Sequence, residues 1–292
     1  MSFKNYLSLI KFNHTIFALP FAIIGFLLAI TIQSYNFDWK LFGLVILCMV
    51  FARSSAMAFN RYIDRNIDKI NPRTAIREIP AGVIPAPTAL LFVIINSLLF
   101  ISTTWFINEL CFYLSPVALL VILGYSLTKR FTFLCHLVLG IGLALAPMGA
   151  YLAVAGRFDW LPLFFSFAVL FWVSGFDIIY ALQDEEFDKS QQLKSIPVVL
   201  GKKGALMLSN IFHLLAAAFI IGAGLYGFFG TWYWIGSGIF IGLLLYQHTL
   251  VKTNDLSRVN LAFFTTNGIA SIAFAVFVFF ELFYQIGAPV CK

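Results

Sequence analysis

The sequence predicts an all-α integral membrane protein, a bundle of nine transmembrane helices with cytoplasmic loops that cap a central site. Three observations lead to this prediction. The chain is 61% hydrophobic and only 11% charged, with a mean hydropathy of +0.92, which excludes an ordinary soluble globular protein. Apolar runs long enough to cross a bilayer as helices recur along it. Two acidic clusters, NRYIDRNID and DIIYALQDEEFD, stand at the ends of two of these runs.

Each apolar run is about 18 to 25 residues long, which is enough for one membrane-spanning helix. The predicted spans cover residues 14–32, 41–58, 86–106, 111–127, 134–155, 160–182, 204–227, 231–249 and 260–286. No linker, low-complexity tract or soluble segment interrupts the series, so we expect a single transmembrane domain over residues 1–292. The acidic clusters occupy equivalent places in two halves of it, roughly residues 1–130 and 131–292.

The distribution of Lys and Arg predicts the orientation. Lys40, Arg157 and Lys292 fall on one side and Arg53 lies inside a span, so the other fifteen of the 19 Lys and Arg residues fall on the opposite side. The positive-inside rule makes that side cytoplasmic. We therefore expect a cytoplasmic N-terminus and a C-terminus on the opposite side, in a bacterial inner membrane. The bases are spread over several loops, so we expect neither a nucleic-acid partner nor an obligate protein partner.

The two acidic clusters share one arrangement. Asp64 and Asp184 each follow an apolar helix, and a second Asp comes four residues after each. Residues four apart share a helix face, so we expect each cluster to form a stripe of oxygen ligands on its helix. The two stripes are Asn60, Asp64 and Asp68, spread over roughly 80°, and Asp177, Asp184 and Asp188, within about 40°. Carboxylates near a membrane are costly without a cation, and Mg²⁺ binds such oxygens together with phosphate.

A basic, proline-containing loop follows each acidic cluster: NPRTAIREIPAG in one half and KSQQLKSIPVVLGKKG in the other. Basic side chains beside a metal site are what a diphosphate requires. The candidates are Arg73, Arg77, Lys129, Arg130 and Lys194. A single DxxxD pair is more often a solvated surface pair. Two copies at equivalent places, each starting inside or at the edge of an apolar run, favour a shared cation site instead.

These motifs resemble those of the UbiA superfamily of intramembrane aromatic prenyltransferases. NRYIDRNID is similar to the family's first motif, NxxxDxxxD, and DIIYALQDEEFD to the DxxYxxxDxxxD motif of the 4-hydroxybenzoate polyprenyltransferase branch. Other similar segments are KFNHTIFALPFA, RTAIREIPAG, YSLTKRFT and LKSIPVVLG. The chain departs from the family pattern at Arg61, where many members have Asp, and at Glu78, where many have Pro.

The resemblance implies a Mg²⁺-dependent transfer of a polyprenyl group from a polyprenyl diphosphate to the ring of 4-hydroxybenzoate, in quinone biosynthesis, with release of diphosphate. The implied ligands of two Mg²⁺ ions are Asn60, Asp64, Asp68, Asp184 and Asp188. The implied diphosphate ligands are Lys129, Arg130, Arg77 and Lys194, with help from Arg73. Lys11, Asn13 and His14 resemble the family's N-terminal substrate contacts, although snorkelling at a helix end explains Lys11 equally well.

Asp177 and Tyr180 are the candidate catalytic residues, since they lie one to two turns before Asp184 and would orient or deprotonate the acceptor's phenol. The alternatives for them are a structural hydrogen bond or a further metal contact. Arg53 lies inside an apolar run, where a buried Arg needs an anion. Its candidate partner is the acceptor's carboxylate, and the alternative is an Asp of the site. The remaining histidines have no ligand spacing, and we assign them to core or interface positions: His136, His213 and His248.

Other functions remain alternatives. Within the family these are prenylation of a dihydroxynaphthoate in menaquinone biosynthesis, haem farnesylation and chlorophyll synthesis. The DIIYALQDEEFD segment favours a hydroxybenzoate acceptor over these. A secondary transporter would also bury acidic residues in an apolar bundle, but it would be expected to place them near the membrane midplane. The acids of this chain lie mainly at the cytoplasmic helix ends, together with the bases.

Overall fold

The computed structural model describes residues 3–10 and 17–287, which form eleven α-helices. They are α1 (Phe3–Leu9), α2 (Leu19–Gln33), α3 (Trp39–Ile70), α4 (Ala86–Trp105), α5 (Glu109–Thr128), α6 (Cys135–Ala155), α7 (Trp160–Ala181), α8 (Glu185–Ser190), α9 (Ile196–Tyr226), α10 (Thr231–Leu250) and α11 (Asn267–Gly287). A 3₁₀ turn, Leu182–Asp184, joins α7 to α8, and a π-helical turn, Leu261–Thr266, runs into α11. Over these residues the β pairing is limited to an isolated bridge between Lys252 and Asp255. The predicted all-α class is confirmed.

Seven helical segments of the described residues are long and apolar enough to cross a membrane. They are α3, α4, α5, α6, α9, the segment Trp160–Ser190 and the segment Leu261–Tyr284. The apolar part of α2, Leu19–Ile32, is shorter. α10 has 20 residues, but it begins with TWYW and ends with QHTL, polar and aromatic groups that lower its mean hydropathy. The structure therefore confirms seven of the nine predicted spans, and the count of nine stays a prediction.

The first acidic cluster lies on α3, which continues twelve residues beyond the predicted end of its span at residue 58. The Asp38 carboxylate accepts hydrogen bonds from two backbone N–H groups of the first turn, which begins the helix. α3 ends where Asn71 precedes Pro72, and Asn71 has extended backbone angles (φ −80°, ψ 117°). The long helix carries the acidic residues beyond the apolar part of the span.

The second acidic cluster does not lie on one continuous helix, so that expectation was wrong. α7 ends at Ala181, Asp184 closes the 3₁₀ turn, and Asp188 lies on α8. A 3₁₀ turn has about 3.0 residues per turn where an α-helix has about 3.6. The angle between Asp177 and the two later carboxylates is therefore set by this turn and not by a regular helical stripe.

A buried aromatic cluster packs α2 against three helices of the C-terminal half. Phe21 of α2, Trp172 of α7, Phe240 of α10 and Phe274 of α11 are all 0% exposed, and their neighbouring ring centroids lie 5.4 to 6.4 Å apart. The indole N–H of Trp172 donates to the Asn267 side-chain oxygen over 2.9 Å. Packing and interhelical hydrogen bonds are the forces that associate helices in a bilayer. These contacts fix the position of α7 relative to α2, α10 and α11.

Small residues let α6 approach α2 and α7 closely. A Cβ atom on Gly25 of α2 would lie 2.0 Å from the Pro147 carbonyl oxygen of α6. A Cβ atom on Gly140 of α6 would lie 2.3 Å from Ser174 Oγ of α7. No larger side chain fits at either point without a shift of the helices. The position of α6 between its two neighbours is therefore narrowly determined.

Candidate active site

A cavity of about 1020 Å³ lies among α3, α5, α6 and α7, and both acidic clusters line one end of it. Away from that end the walls are mainly apolar. They include Val45, Met49, Leu114, Val117 and Phe158. Along α3, Asp64 and Val45 are nineteen residues apart, which corresponds to about 28 Å of helix. The cavity thus joins a charged end to a long apolar region.

The four Asp residues of the two DxxxD pairs each form an ion pair with a base at the charged end. The pairs are Asp64–Arg130 (2.8 Å), Asp68–Arg77 (2.6 Å), Asp188–Lys129 (2.6 Å) and Asp184–Arg73. Opposite charges this close attract strongly when they are partly withdrawn from water. The predicted metal ligands and four of the five predicted diphosphate ligands therefore meet in one charged layer.

Asn60 and Asp64 lie on one face of α3, and the Asn60 side-chain amide donates to Asp64 Oδ2 over 3.1 Å. Arg130 donates both to Asp64 Oδ1 (2.8 Å) and to the Ile63 carbonyl oxygen (3.0 Å). It therefore binds the backbone of α3 as well as its acidic side chain. All three polar residues of the first motif lie on the one continuous helix α3, and Asn60 is hydrogen-bonded to Asp64.

Arg73, in the loop between α3 and α4, connects the first half of the chain to the second motif. Its guanidinium binds both carboxylate oxygens of Asp184 and donates from Nη1 to the Tyr180 hydroxyl over 2.8 Å. It also lies 5.1 Å from the centre of the Tyr180 ring. Burial lowers the pKa of Arg73, but the Asp184 carboxylate and the Tyr180 hydroxyl outweigh it and raise the pKa above its usual value. Arg73 is thus a fixed cation at the cavity end.

Lys194 differs from the other predicted bases. Its ammonium donates to the Phe131 carbonyl oxygen over 3.2 Å, and its backbone N–H donates to the Lys129 carbonyl oxygen over 2.7 Å. It is not among the residues that line the cavity. Lys194 thus binds the backbone of the connection between α5 and α6, next to Lys129. Its contact with a diphosphate stays a prediction.

Asp177 lines the cavity. It is hydrogen-bonded to His136 of α6, with 2.7 Å between Asp177 Oδ2 and the imidazole Nδ1. Sequence reasoning assigned His136 to the core and missed this contact. The two residues are 41 positions apart on different helices, so no local spacing could have revealed it. The only available signal was a titratable side chain inside an apolar run.

Of the remaining predicted substrate ligands, Arg53 is the one that lies within the described residues. Arg53 is half-buried and lines the cavity, two helical turns before Asn60 on α3. Lys11, Asn13 and His14 lie outside the described residues, so their predicted contacts stay predictions. Tyr125 and Ser126 of α5 line the cavity as well; they begin the segment YSLTKRFT, but the sequence analysis did not name them as site residues.

The two departures from the family pattern both line the cavity. The side chain of Arg61 is buried, with the residue 5% exposed, and Glu78 accepts a hydrogen bond from Ser8 of α1. This bond ties α1 to the loop that carries Arg77. Arg61 lies within the first motif and Glu78 in the loop after it, and neither replaces one of its carboxylates.

The oxygen donors of the two motifs fit a divalent cation in their chemistry. Within the part of the chain that the structure describes, Asp68 Oδ2 is buried and has no hydrogen-bond partner, although Oδ1 is paired with Arg77. Hard oxygen ligands of this kind are those that Mg²⁺ prefers. No group of three or more His, Cys, Asp or Glu side chains in the described ranges stands close enough to hold a metal. Each carboxylate of the DxxxD pairs is instead directed at its own base.

Comparisons with known proteins agree with the site. Residues 18–284 match the UbiA prenyltransferase family. A 4-hydroxybenzoate octaprenyltransferase of Nitrosospira multiformis is 30% identical over 230 residues, which is 79% of each chain. A UbiA homolog from Aeropyrum pernix is 30% identical with a TM-score of 0.80, and the match covers 94% of this chain and 98% of that one.

A second solved structure shares the fold at lower identity. It is a UbiA homolog from Archaeoglobus fulgidus bound to GPP and Mg²⁺, 22% identical, with a TM-score of 0.74 and coverage of 95% and 99%. The family match extends over nearly the whole described bundle, including both acidic motifs and their bases. These agreements confirm the resemblance seen in the motifs: the chain belongs to the UbiA prenyltransferase family.

Proposed function

We propose that this prenyltransferase transfers a polyprenyl group from its diphosphate to the ring of 4-hydroxybenzoate, with Mg²⁺ as the metal and diphosphate as the leaving group. One observation carries the proposal. Both acidic motifs and four bases meet at one end of a cavity whose other end is apolar. This division suits a ligand with a charged head and a long hydrocarbon tail. The relatives named 4-hydroxybenzoate octaprenyltransferases support the acceptor.

The metal would be held by the oxygen ligands of the two motifs. They are Asn60, Asp64, Asp68, Asp184 and Asp188. When bound, Mg²⁺ would neutralise negative charge that develops on the leaving diphosphate. The orphaned Oδ2 of Asp68 supports this assignment, as does the shared fold with the homolog that holds GPP and Mg²⁺. Two ions remain the expected number.

The bases would bind the phosphate oxygens. Arg73, Arg77, Lys129 and Arg130 each lie beside one of the carboxylates. When a carboxylate turns to the metal, its base becomes available to the phosphate. Charge builds up on the diphosphate as the C–O bond breaks, so these cations stabilise the transition state more than the ground state. Lys194, Lys11, Asn13 and His14 are proposed to assist at the edge of the site.

The acceptor would bind deeper in the membrane. Arg53 lies seven residues before Asn60 on α3, which puts it about 10 Å below that residue along the helix. Asp177 lies on α7, before the 3₁₀ turn that carries Asp184. An aromatic acid between them would present its carboxylate to Arg53 and its phenol to Asp177. Tyr180, held by Arg73, would close the space between acceptor and diphosphate.

The reaction would be an electrophilic aromatic substitution. The C–O bond of the donor breaks, and its electron pair leaves on the diphosphate. The ring carbon ortho to the hydroxyl forms the new C–C bond with the allylic carbon, and the proton on that ring carbon passes to the released diphosphate. The apolar walls exclude water, which would otherwise capture the allylic cation.

The membrane assignment extends the seven confirmed spans. We propose that α2 and α10 also span, giving nine helices in a single domain, with the N-terminus cytoplasmic and the C-terminus opposite. The basic residues of the motif loops support this orientation. Homology to bacterial enzymes supports the inner membrane.

The decisive experiment uses purified protein in lipid nanodiscs with Mg²⁺ and a polyprenyl diphosphate. It is offered 4-hydroxybenzoate and a dihydroxynaphthoate in separate reactions, and prenylated product and released diphosphate are measured together. We expect both with 4-hydroxybenzoate. Product only with the naphthoate would assign the enzyme to menaquinone biosynthesis. No product from any aromatic acid, with uptake of a solute by proteoliposomes, would indicate a transporter.

A further inference from the structure

The contact between His136 and Asp177 is a hydrogen bond between α6 and α7 at the acceptor's proposed depth. Oδ2 of Asp177 lies 2.7 Å from Nδ1 of His136. Neither residue belongs to the four ion pairs at the charged end of the cavity. Both residues line the cavity, so the pair lies where a substrate could reach one of its members.

The packing of α6 on α7 holds this pair in place. Gly140 lies one turn after His136, and its missing Cβ allows Ser174 Oγ to approach α6. Ser174 donates to the Leu170 carbonyl oxygen (2.7 Å) and lies 3.1 Å from the His136 carbonyl oxygen. Close backbone approach at a small residue fixes the distance between two membrane helices. The side chains of His136 and Asp177 are therefore aligned by their backbones.

The two side chains differ in burial. The imidazole of His136 is 4% exposed and the carboxylate of Asp177 is 22% exposed. Nε2 of His136 is buried and has no hydrogen-bond partner among the described residues. A buried N–H without an acceptor is costly, so the tautomer with the proton on Nδ1 fits this site best. In that form the Nδ1–H of His136 donates to Asp177, and the more exposed carboxylate faces the cavity.

We propose that His136 is a positioning residue that holds the Asp177 carboxylate as the base for the acceptor's phenol. This inference rests on the proposed function. The Nδ1–H of His136 donates to Oδ2 of Asp177, so Oδ1 is the oxygen that accepts the phenol's proton. In the step, the phenol O–H bond breaks, its proton passes to Asp177 Oδ1, and the electron pair stays on the phenolate oxygen. The ring carbon then bonds to the allylic carbon while the donor's C–O bond breaks and diphosphate leaves. The ring proton passes to the released diphosphate, which restores aromaticity, and Asp177 returns its proton to the phenolate oxygen.

The test compares variants of the full-length enzyme in nanodiscs, with 4-hydroxybenzoate varied at saturating donor. His136→Leu removes the donor and is expected to lower kcat about tenfold or more, within the range for general-base catalysis. In a second series, with the donor varied at saturating 4-hydroxybenzoate, the KM for the donor should stay within about twofold, because the diphosphate site is untouched. His136→Asn keeps an N–H near the position of Nδ1 and is expected to recover most of the lost kcat.

Asp177→Asn and the double variant His136→Leu/Asp177→Asn complete a cycle. If His136 acts through Asp177, the double variant is as slow as Asp177→Asn alone, since residues that act as a unit are not additive. Ser209→Ala is the matched control, because it removes a hydrogen bond from α9 to the Gly175 carbonyl oxygen of α7 without touching either member of the pair. It is expected to keep kcat, and the melting temperatures of all variants show whether they fold.

Three results would overturn the inference while the wild-type enzyme is active. The first is a His136→Leu variant that folds and keeps the wild-type kcat. The second is a double variant in which the two losses multiply. The third is a His136→Asn variant as slow as His136→Leu, which would make the imidazole itself the base. Wild-type enzyme that prenylates no aromatic acid would instead overturn the proposed function, and this inference with it.

Discussion

The ammonium of Lys129 lies 2.6 Å from the carboxylate of Asp188, whose side chain is only 1% exposed. Lys129 follows the last residue of α5, and Asp188 lies on α8. Ser195 also donates to this carboxylate, over 3.3 Å. A carboxylate this deeply buried requires such partners. The pair therefore ties the end of α5 to the second acidic motif across the cavity end.

Loss of Lys129 should affect both stability and activity. Lys129→Met leaves the Asp188 carboxylate buried without its cation, which should cost about 1 to 3 kcal/mol of stability. The double variant Lys129→Met/Asp188→Leu should recover the melting temperature while transferring no prenyl group. Thermal unfolding in nanodiscs measures the first effect and product formation the second. A double variant less stable than Lys129→Met would contradict the stabilising role of the pair.

Loss of the motif carboxylates should affect activity far more than stability. Asp64→Asn and Asp184→Asn should each lower kcat by about a hundredfold or more, because each removes a ligand that acts on the leaving group. Their ion pairs involve bases that are 34% and 32% exposed, and pairs near water contribute about 0 to 1 kcal/mol. Asp255→Asn, in an exposed turn before the last span, is the control. Equal activity of all three variants would show that the motif carboxylates are ordinary helix-end residues.

The shape of the Arg73 side chain should matter as well as its charge. Arg73 binds both oxygens of Asp184 and the Tyr180 hydroxyl at once, which a single ammonium cannot reproduce. Arg73→Lys should lower kcat/KM for the donor by about tenfold. Arg65→Lys is the matched control, since Arg65 contacts Tyr62 and does not line the cavity. The rates are measured with a radiolabelled donor, and a change of equal size in both variants would refute a specific role for Arg73.

Metal and diphosphate should bind cooperatively. Each motif carboxylate is paired with a base, so Mg²⁺ alone must separate the pairs and leave cations without partners. Diphosphate alone would leave carboxylates without partners. Together they should bind with a coupling of about 1 to 3 kcal/mol. Isothermal titration with Mg²⁺, with inorganic diphosphate and with both detects it. If Mg²⁺ and diphosphate bind independently, the carboxylates and bases do not exchange each other for the metal and the phosphate.

A large side chain at Gly149 should limit the donor's length. Gly149 lines the apolar part of the cavity, and a Cβ atom there meets nothing within 4 Å. It lies thirteen residues after His136 on α6, about 20 Å along the helix. Gly149→Phe should keep transfer from geranyl diphosphate and lower kcat/KM for a long polyprenyl donor by about tenfold. Gly238→Phe, on the exposed face of α10, is the control. If Gly149→Phe loses equal activity with both donors, the donor's tail does not pass Gly149.

Hydropathy and motif spacing in the sequence determined the membrane class, most of the spans and the residues of the charged site. The reason is that bilayer crossing depends on the composition of one segment, and a DxxxD spacing is a property of one helix. Arg53 and Asp177 could be singled out because an ionisable group in an apolar run is costly. The apolar lining beyond them carried no such signal.

The tertiary structure decided which of these residues meet. It paired Arg130 with Asp64 and directed Lys194 to a backbone carbonyl. It bent the second motif at a 3₁₀ turn, which a helical wheel could not show. It brought His136 to Asp177 because Gly140 lets α6 approach α7 closely. Such contacts depend on how helices distant in sequence pack, and no local pattern of the chain encodes them.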